Sequence, residues 1–454
     1  MNEQSVLFAS LPELAAVTQS SATAEAAAPR VLLAERNQIE LRAVDLDSTI
    51  SLDHPARNVW AFVERMDLSA LYGTIGSVEG RAGRAAIDPK ILLALWLYAT
   101  VDGVGSAREI ERLTEAHDGY RWICGGVNVN HHTLSDFRCA PVDLLDEWLT
   151  HSVAVLMEQD LVKLERVAQD GMRVRASAGA ASFRRRSTLE RCLAEAQTQV
   201  QALKSEIEAD SDASNRRRRA ARERAASERQ QRVTQALEQL AQVEEQKKKK
   251  PVAKKENETE EHYAKRSEPR ASSTDSEARV MKMADGGYRP AYNVQFSTAT
   301  DSQIIVGVDV SNIGSDQGQL SPMLDQVERR YDERPSQCLV DGGYARHDDI
   351  EEAHRLGTLV YAPVPKPKDP SRDPYVALAN DSEAIAQWRE RMGTDAAKQI
   401  YKQRAATAEC VNAIARGRGL TQFLVRGLDK VKAVALWYAL AHNLMRAVTL
   451  SQTA

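Results

Sequence analysis

The sequence predicts an α/β protein with a mixed sheet flanked by helices, an all-α region before the sheet, and a helical coiled-coil insertion within it. Three observations support this fold class. Apolar residues recur at helical spacing before residue 155, short apolar runs alternate with helical patterns after about residue 272, and a charged stretch poor in aromatic residues separates the two. With 454 residues, the chain is long enough for two or three domains.

The composition is that of a globular protein and leaves function to local patterns. Hydrophobic residues make up 43% and charged residues 27% of the chain, which excludes wholesale disorder and a fibrous class. The net charge of −4 does not by itself indicate a nucleic-acid-binding protein. Basic residues are nevertheless clustered, so a basic surface can coexist with an acidic total; the clusters are Arg184–Arg186, Arg216–Arg219 and Lys247–Lys250. The cysteines lack C-x-x-C spacing, which argues against a zinc ribbon or a disulfide framework.

The region before the sheet divides into an arm and a helical module. Residues 1–44 are rich in Ala, Ser and Gln without a sustained period, and we predict a disordered arm there. Residues 45–155 have helical spacing, and Pro89 opens the longest apolar run, Ile91 to Val101. That run is too short to span a membrane, and the N-terminus lacks a secretory pattern, so we expect no membrane association and a cytoplasmic location.

A predicted strand within residues 163–178, ending near Asp170, is followed by the charged segment 184–270. Apolar residues from Leu189 to Ile207 are spaced alternately by four and three, which is the seam of a coiled coil. Val233, Leu237 and Leu240 continue such a seam after a polar break. These patterns predict an antiparallel helical hairpin, with a solvated linker over residues 247–261.

After about residue 275 the pattern becomes that of an α/β layer. Alternating residues predict a hairpin with strands over 292–296 and 304–310. Next come a helix over 320–327, a strand over 338–340, a helix over 348–356 and a strand over 359–364. This order of elements fits a mixed sheet with helices packed on it.

Three acidic residues stand out by their positions in these elements. Asp170 and Asp341 each end a predicted strand directly before glycine, and Glu409 lies within a predicted helix. Strand ends at one sheet edge bring distant residues together, and Mg²⁺ is typically held by a few carboxylates. Two such ions about 4 Å apart support phosphoryl transfer. The simpler interpretation of each Asp-Gly pair is a turn.

A helical segment near the C-terminus carries a resemblance to a known family. Tyr401, Arg404 and Glu409, followed by Arg416, resemble the Tyr-Arg-Glu-Lys signature of the DDE transposases of insertion sequences. The segments around the two aspartates also resemble that family's motifs, namely Gln169–Val174 and Val340–Tyr344. The similarity covers most of residues 45–450 and is to the insertion-sequence eleven-eighty-two-like group, related to the wider insertion-sequence four and five type.

Two departures from the broader signature concern the same helix. Arg416 stands where lysine is usual, which keeps the positive charge but changes its shape. Four residues rather than three separate Arg404 from Glu409. In a regular α-helix this spacing places Glu409 off the line of Tyr401.

The resemblance implies a fold, a reaction and partners. It implies an RNase H-like catalytic domain made of residues 160–180 and 272–450, a helical DNA-binding domain at 45–155, and an insertion at 184–270. Asp170, Asp341 and Glu409 are then both the catalytic residues and the ligands of two Mg²⁺ ions, with Mn²⁺ as an alternative. The DNA-binding residues are Tyr401, Arg404 and Arg416, which suit phosphate oxygens.

The implied partners are DNA, as terminal inverted repeats and target, and further copies of the chain in a homodimer or higher oligomer, associated with the nucleoid. Two alternatives stay open at this point. One is a catalytically inactive transposase-derived DNA-binding regulator, and the other is a repair or restriction nuclease that cleaves without joining ends. The helical module could equally be a plain scaffold, and the charge runs of the hairpin a solvated face.

Overall fold

The computed structural model describes residues 43, 45–77, 85–139, 142–209, 213–249, 254, 256, 258–367 and 369–453. The chain divides into two units, residues 1–44 and 45–454, and the described helices and strands all lie in the second. The predicted disordered arm lies outside the described residues, apart from position 43. Within the described ranges, no helix combines the length and apolar character needed to cross a membrane.

Seven α-helices precede the first strand in the described part of the chain, as the helical spacing predicts. The apolar run forms α3, which Pro89 begins and Asp88 caps by accepting a hydrogen bond from the backbone N–H of Lys90. This helix is buried around nearly its whole circumference and packs against α1 and the C-terminal helix. The helices are α1 (Pro55–Glu64), α2 (Ser69–Tyr72), α3 (Pro89–Val101), α4 (Ala107–Ala116), α5 (Asp118–Cys124), α6 (His131–Arg138) and α7 (Val142–Glu158).

A mixed six-stranded sheet follows, in agreement with the predicted fold class. Strand β5 pairs antiparallel with β1 on one edge and with β4 and β6 on the other, while β1, β7 and β8 run parallel in that order. A separate pair, β2 and β3, stands beside the insertion. The strands are β1 (Arg166–Arg175), β2 (Phe183–Arg184), β3 (Ala271–Ser272), β4 (Arg279–Lys282), β5 (Tyr288–Ala299), β6 (Ile305–Ser311), β7 (Gln337–Leu339) and β8 (Leu359–Tyr361).

Strand β1 does not end near Asp170 as predicted but continues to Arg175. Its antiparallel partner β5 stays paired with it along this length, up to the pair Arg175 and Ala291. Its parallel partner β7, in contrast, stops pairing at Ala168. Asp170 therefore lies in the middle of a strand, just beyond the residue at which the pairing with β7 ends. The Asp170-Gly171 pair is not a turn.

The insertion consists of two long helices, α8 (Arg186–Ala209) and α9 (Ala213–Lys249). The ion pair between Arg186 and Glu244, at 2.8 Å, joins the start of α8 to the end of α9, which shows that the helices run antiparallel. A hydrophobic cluster distinct from the main core holds them together and comprises Leu189, Val233, Ala236, Leu240 and Ala271. The predicted hairpin is present, and its supercoiling stays a prediction. Helices also occupy both ends of the predicted linker, since α9 reaches Lys249 and α10 begins at Glu260.

The remaining helices cover the sheet and close the fold. The predicted helices over 320–327 and 348–356 correspond to α11 and α12. The long last helix packs against α3, α7 and β6, so it joins the helical region to the sheet. These helices are α10 (Glu260–Ser267), α11 (Leu320–Tyr331), α12 (His347–Arg355), α13 (Glu383–Gly393), α14 (Asp395–Arg404), α15 (Cys410–Gly417) and α16 (Leu428–Thr453).

Candidate active site

The register of the parallel strands brings two of the three acids together. It pairs Arg166 with Gln337 and Ala168 with Leu339. Continued by two residues, the same offset sets Asp341 beside Asp170. Strand β7 ends at Leu339, and Asp341 begins a short 3₁₀ turn in which its Oδ1 accepts a hydrogen bond from the N–H of Gly343 at 2.7 Å. The two carboxylates therefore meet where the parallel pairing ends.

Asp170 carries a charge that its surroundings disfavour. Burial raises the pKa of its carboxyl group above the ordinary value, the negative charge of Asp341 adds to this rise, and Arg404 opposes it. Its Oδ2 accepts a hydrogen bond from Nδ2 of Asn412 at 3.0 Å, and its Oδ1 accepts one from the N–H of Gly171 at 3.0 Å. Sequence reasoning missed Asn412, although it lies three residues after Glu409, where a helix places side chains on the same face.

Glu409 is placed by a local irregularity of its helix. Helix α14 continues into α15 through a π-helical turn over Ala405–Glu409. A π turn closes hydrogen bonds from residue i to i+5, so residues five apart stack on one side of the helix. Nη2 of Arg404 accordingly donates to Oε1 of Glu409 at 2.7 Å. The π turn accommodates the additional residue between Arg404 and Glu409. The position predicted for Glu409 from a regular α-helix is therefore wrong.

The guanidinium of Arg404 stands between the acids. Besides its bond to Glu409, its Nη1 lies 3.6 Å from Oδ1 of Asp170, and its side chain is only 14% exposed. Burial lowers the pKa of Arg404, but Tyr401, Asp170, Glu409 and Asp341 together raise it above the ordinary value. The ring of Tyr401 lies 6.0 Å from the guanidinium carbon. Glu409 is thus connected to Asp170 through Arg404 and not by direct contact.

The third residue of the predicted DNA-binding set lies apart from the acids. Arg416 is exposed in the last turn of α15. Seven residues of helix place it about 10 Å along the axis from Glu409. The structure therefore brings Tyr401 and Arg404 to the acids and leaves Arg416 further along the same helical segment.

The three acids have the chemistry of a metal site, although their side chains do not yet converge on one point. In the part of the chain that the structure describes, no group of three or more His, Cys, Asp or Glu side chains is close enough to hold a metal ion. The donor set still fits a hard cation, because all three candidate ligands are carboxylates and a cation would offset the burial and the Asp341 charge that raise the pKa of Asp170. To join the two aspartates, the Glu409 side chain, which is 52% exposed, would have to leave its ion pair with Arg404.

Comparison with known protein families gives two matches. Residues 44–139 match a family described as "Transposase domain (DUF772)". Residues 371–448 match a family described as "Transposase DDE domain". The two matches support an insertion-sequence DDE transposase. The second match contains Tyr401, Arg404, Glu409 and Arg416, whereas Asp170 and Asp341 lie outside both matches. No curated protein and no solved structure matches the chain.

Asp170→Asn is expected to stabilise the folded protein at neutral pH. Because the pKa of Asp170 is raised by folding, its ionised form is less favourable in the folded than in the unfolded chain, and this cost grows as pH rises through the raised pKa. The neutral amide removes that cost, so the advantage of the variant should shrink as pH falls towards about 4. Thermal unfolding midpoints across this range measure the difference. A variant less stable than the original chain at neutral pH would contradict the electrostatic account.

Proposed function

We propose that this transposase cleaves DNA at the ends of an insertion sequence of the eleven-eighty-two-like group and joins the freed 3′ ends to target DNA. Asp170, Asp341 and Glu409 are the proposed catalytic and metal-binding residues. The observation that carries the proposal is the register of β1 and β7, which, continued past the end of β7, sets Asp341 beside Asp170, while the ion pairs of Arg404 link Glu409 to Asp170. Oxygen ligands gathered in this way suit phosphoryl transfer.

Each carboxylate has a defined support. Asn412 and the N–H of Gly171 orient Asp170, and the N–H of Gly343 orients Asp341. The side chain of Glu409 is the one free to change conformation, since it is half exposed and its contact is with Arg404. Two Mg²⁺ ions held by these residues, or Mn²⁺ in their place, would activate the attacking oxygen and stabilise the leaving oxygen of the phosphodiester.

Arg404 is suited to a second role once Glu409 turns. Its Nη1 is buried and makes no hydrogen bond within the described part of the chain, since its contact with Oδ1 of Asp170 is an ion pair at 3.6 Å. A guanidinium with a free N–H is a strong partner for a phosphate oxygen. We assign Arg404 and Tyr401 to the DNA phosphate at the site of cleavage, and Arg416 to the backbone further along. Arginine at 416 can contact that phosphate through two parallel N–H groups, which lysine cannot.

The wider architecture supports the proposed domain roles. A mixed sheet with helices packed on it is compatible with an RNase H-like core formed by residues 160–180 and 272–450. The helices within residues 45–155 are the proposed DNA-binding domain for terminal inverted repeats, which accords with the transposase domain matched there. Residues 184–270 are then an insertion into the core. We propose that a homodimer or higher oligomer acts on the two ends of the element.

The test is a strand-transfer assay with the full chain, Mg²⁺, a target plasmid and DNA from both flanks of the coding region. We expect cleavage at inverted repeats in those flanks and joined products in which the 3′ ends are attached to the plasmid. Cleavage without joined products would favour a nuclease. Specific binding without cleavage in Mg²⁺ or Mn²⁺ would favour a catalytically inactive regulator. Either of these two results would overturn the proposed reaction.

A further inference from the structure

A buried polar cluster lies on the face of β1 opposite Asp170. Side chains alternate along a strand, so Gly171 and Arg173 face away from the carboxylate of Asp170. The carboxylate of Asp316, which is only 7% exposed, lies over this second face. It comes so close to Gly171 that a Cβ atom there would lie 2.4 Å from its Oδ1. The glycine after Asp170 is therefore required by packing and not by a turn.

Donors surround the Asp316 carboxylate. Its Oδ2 accepts a hydrogen bond from Nη2 of Arg173 at 2.6 Å. Its Oδ1 accepts from Nδ2 of Asn293 at 2.7 Å and from Nε2 of Gln295 at 2.9 Å. Both of these residues lie on β5, where Asn293 pairs with Arg173 and Gln295 with Gly171. Three donors therefore converge on one carboxylate, whose two oxygens can accept all three hydrogen bonds.

The same cluster reaches the turn that carries Asp341. Tyr344, the last residue of that turn, is fully buried, and its hydroxyl donates to Oε1 of Gln295. Burial and the nearby acids raise the pKa of Tyr344 well above its ordinary value, so the hydroxyl stays protonated and acts as donor. Because Oε1 of Gln295 accepts this bond, its Nε2 faces Asp316. The hydrogen bonds therefore run in one direction, from Tyr344 through Gln295 to Asp316.

We propose that Asp316 and Tyr344 are positioning residues, whose hydrogen-bonded chain through Gln295 holds the Asp341 turn in register with Asp170 on β1. They touch neither substrate nor metal and act through Asp341. The inference rests on the proposed function, since Asp341 matters as a ligand only if the acids bind metal. Loss of these hydrogen bonds would let the Asp341 turn move while leaving the strand that carries Asp170 in place.

The test compares Mn²⁺ binding by the full chain, measured from the electron paramagnetic resonance signal of free Mn²⁺, in Asp316→Asn and Tyr344→Phe. Asp316→Asn sets an amide among three donors, and Tyr344→Phe removes only the hydroxyl that links the turn to the cluster. Groups that orient metal ligands affect metal affinity by about 10- to 100-fold. We expect about tenfold weaker Mn²⁺ binding in both, with metal-free binding to element-end DNA unchanged. Tyr344→Phe keeps the ion pair between Asp316 and Arg173. If Asp316→Asn does not fold, Mn²⁺ binding by Tyr344→Phe alone tests the positioning inference.

Tyr292→Phe is the matched control. Tyr292 is also a fully buried tyrosine, and its hydroxyl donates to Oδ1 of another buried aspartate, Asp275, at 2.7 Å. We expect this variant to bind Mn²⁺ as the original chain does. If it weakens Mn²⁺ binding as much as Tyr344→Phe, or if Tyr344→Phe binds normally, the positioning inference is overturned. Asp170→Asn separates the two proposals, because normal Mn²⁺ binding in that variant would instead refute the metal site itself.

Discussion

Asp170→Asn and Asp341→Asn should each reduce DNA cleavage by about 10³-fold or more while specific binding to element-end DNA is retained. Asp341 lies just beyond the end of β7, where the register of β1 and β7 sets it beside Asp170, so each amide removes one charge from the same small region. A thousandfold loss corresponds to about 4 kcal/mol of transition-state stabilisation, which is within the range expected for losing a metal ligand. Glu409→Gln should have the same effect on cleavage, since the π turn directs Glu409 to this region.

The measurement is single-turnover cleavage of labelled end DNA, with binding followed separately by gel shift. Asp395→Asn is the control, because Asp395 begins α14 and its side chain is 96% exposed. That variant should cleave like the original chain. Unchanged cleavage in any one of the three active-site variants would remove that residue from the proposed site. Loss of DNA binding alongside cleavage would indicate that the fold had been damaged and not the chemistry.

Alanine in place of glycine should lower the stability of the fold at one Asp-Gly pair and leave it nearly unchanged at the other. At Gly171 a Cβ would lie 2.4 Å from Oδ1 of Asp316 and 2.5 Å from Nε2 of Gln295. Neither atom can move away freely, because the two groups are hydrogen-bonded to each other. We expect Gly171→Ala to destabilise the fold by about 3 kcal/mol, at the upper end for overpacking, and to lower the thermal midpoint by several degrees.

Gly342 is the matched control for this prediction. It also follows a proposed catalytic aspartate, yet nothing lies within 4 Å of the Cβ it would gain. Its substitution by alanine should change stability by no more than about 0.5 kcal/mol, as surface changes usually do. Thermal and urea unfolding of both variants measure the contrast. Similar stabilities for the two would show that the Asp316 carboxylate does not occupy the space beside β1.

Local patterns predict best those elements that bury one face and expose the other. The alternation that predicts strands over 292–296 and 304–310 lies within β5 and, apart from its first residue, within β6. The helical spacing in 320–327 and 348–356 lies within α11 and α12 or ends one residue beyond. In such segments the period of the apolar residues follows directly from the element. The seam residues of the insertion likewise predict the pairing of α8 and α9.

Two expectations differ from the structure, and a distant segment decided the first of them. β1 runs on past Asp170 because β5 stays paired with it, and no residue near 170 signals that partner. The spacing between Arg404 and Glu409 departs from an α-helical register, but only the structure shows that a π turn accommodates it. The position of Arg404 between the acids depends on that turn and was not predicted.

The amino-acid sequence by itself determined the types of most elements and singled out Asp170, Asp341 and Glu409 as candidates, because periodic burial and the chemistry of carboxylates can be recognised locally. Only the tertiary structure decided that Asp170 and Asp341 are neighbours, that Gly171 makes room for Asp316, and that Arg404 lies between Asp170 and Glu409. Strand register and side-chain contacts depend on the packing of segments far apart in the chain, which no local pattern specifies.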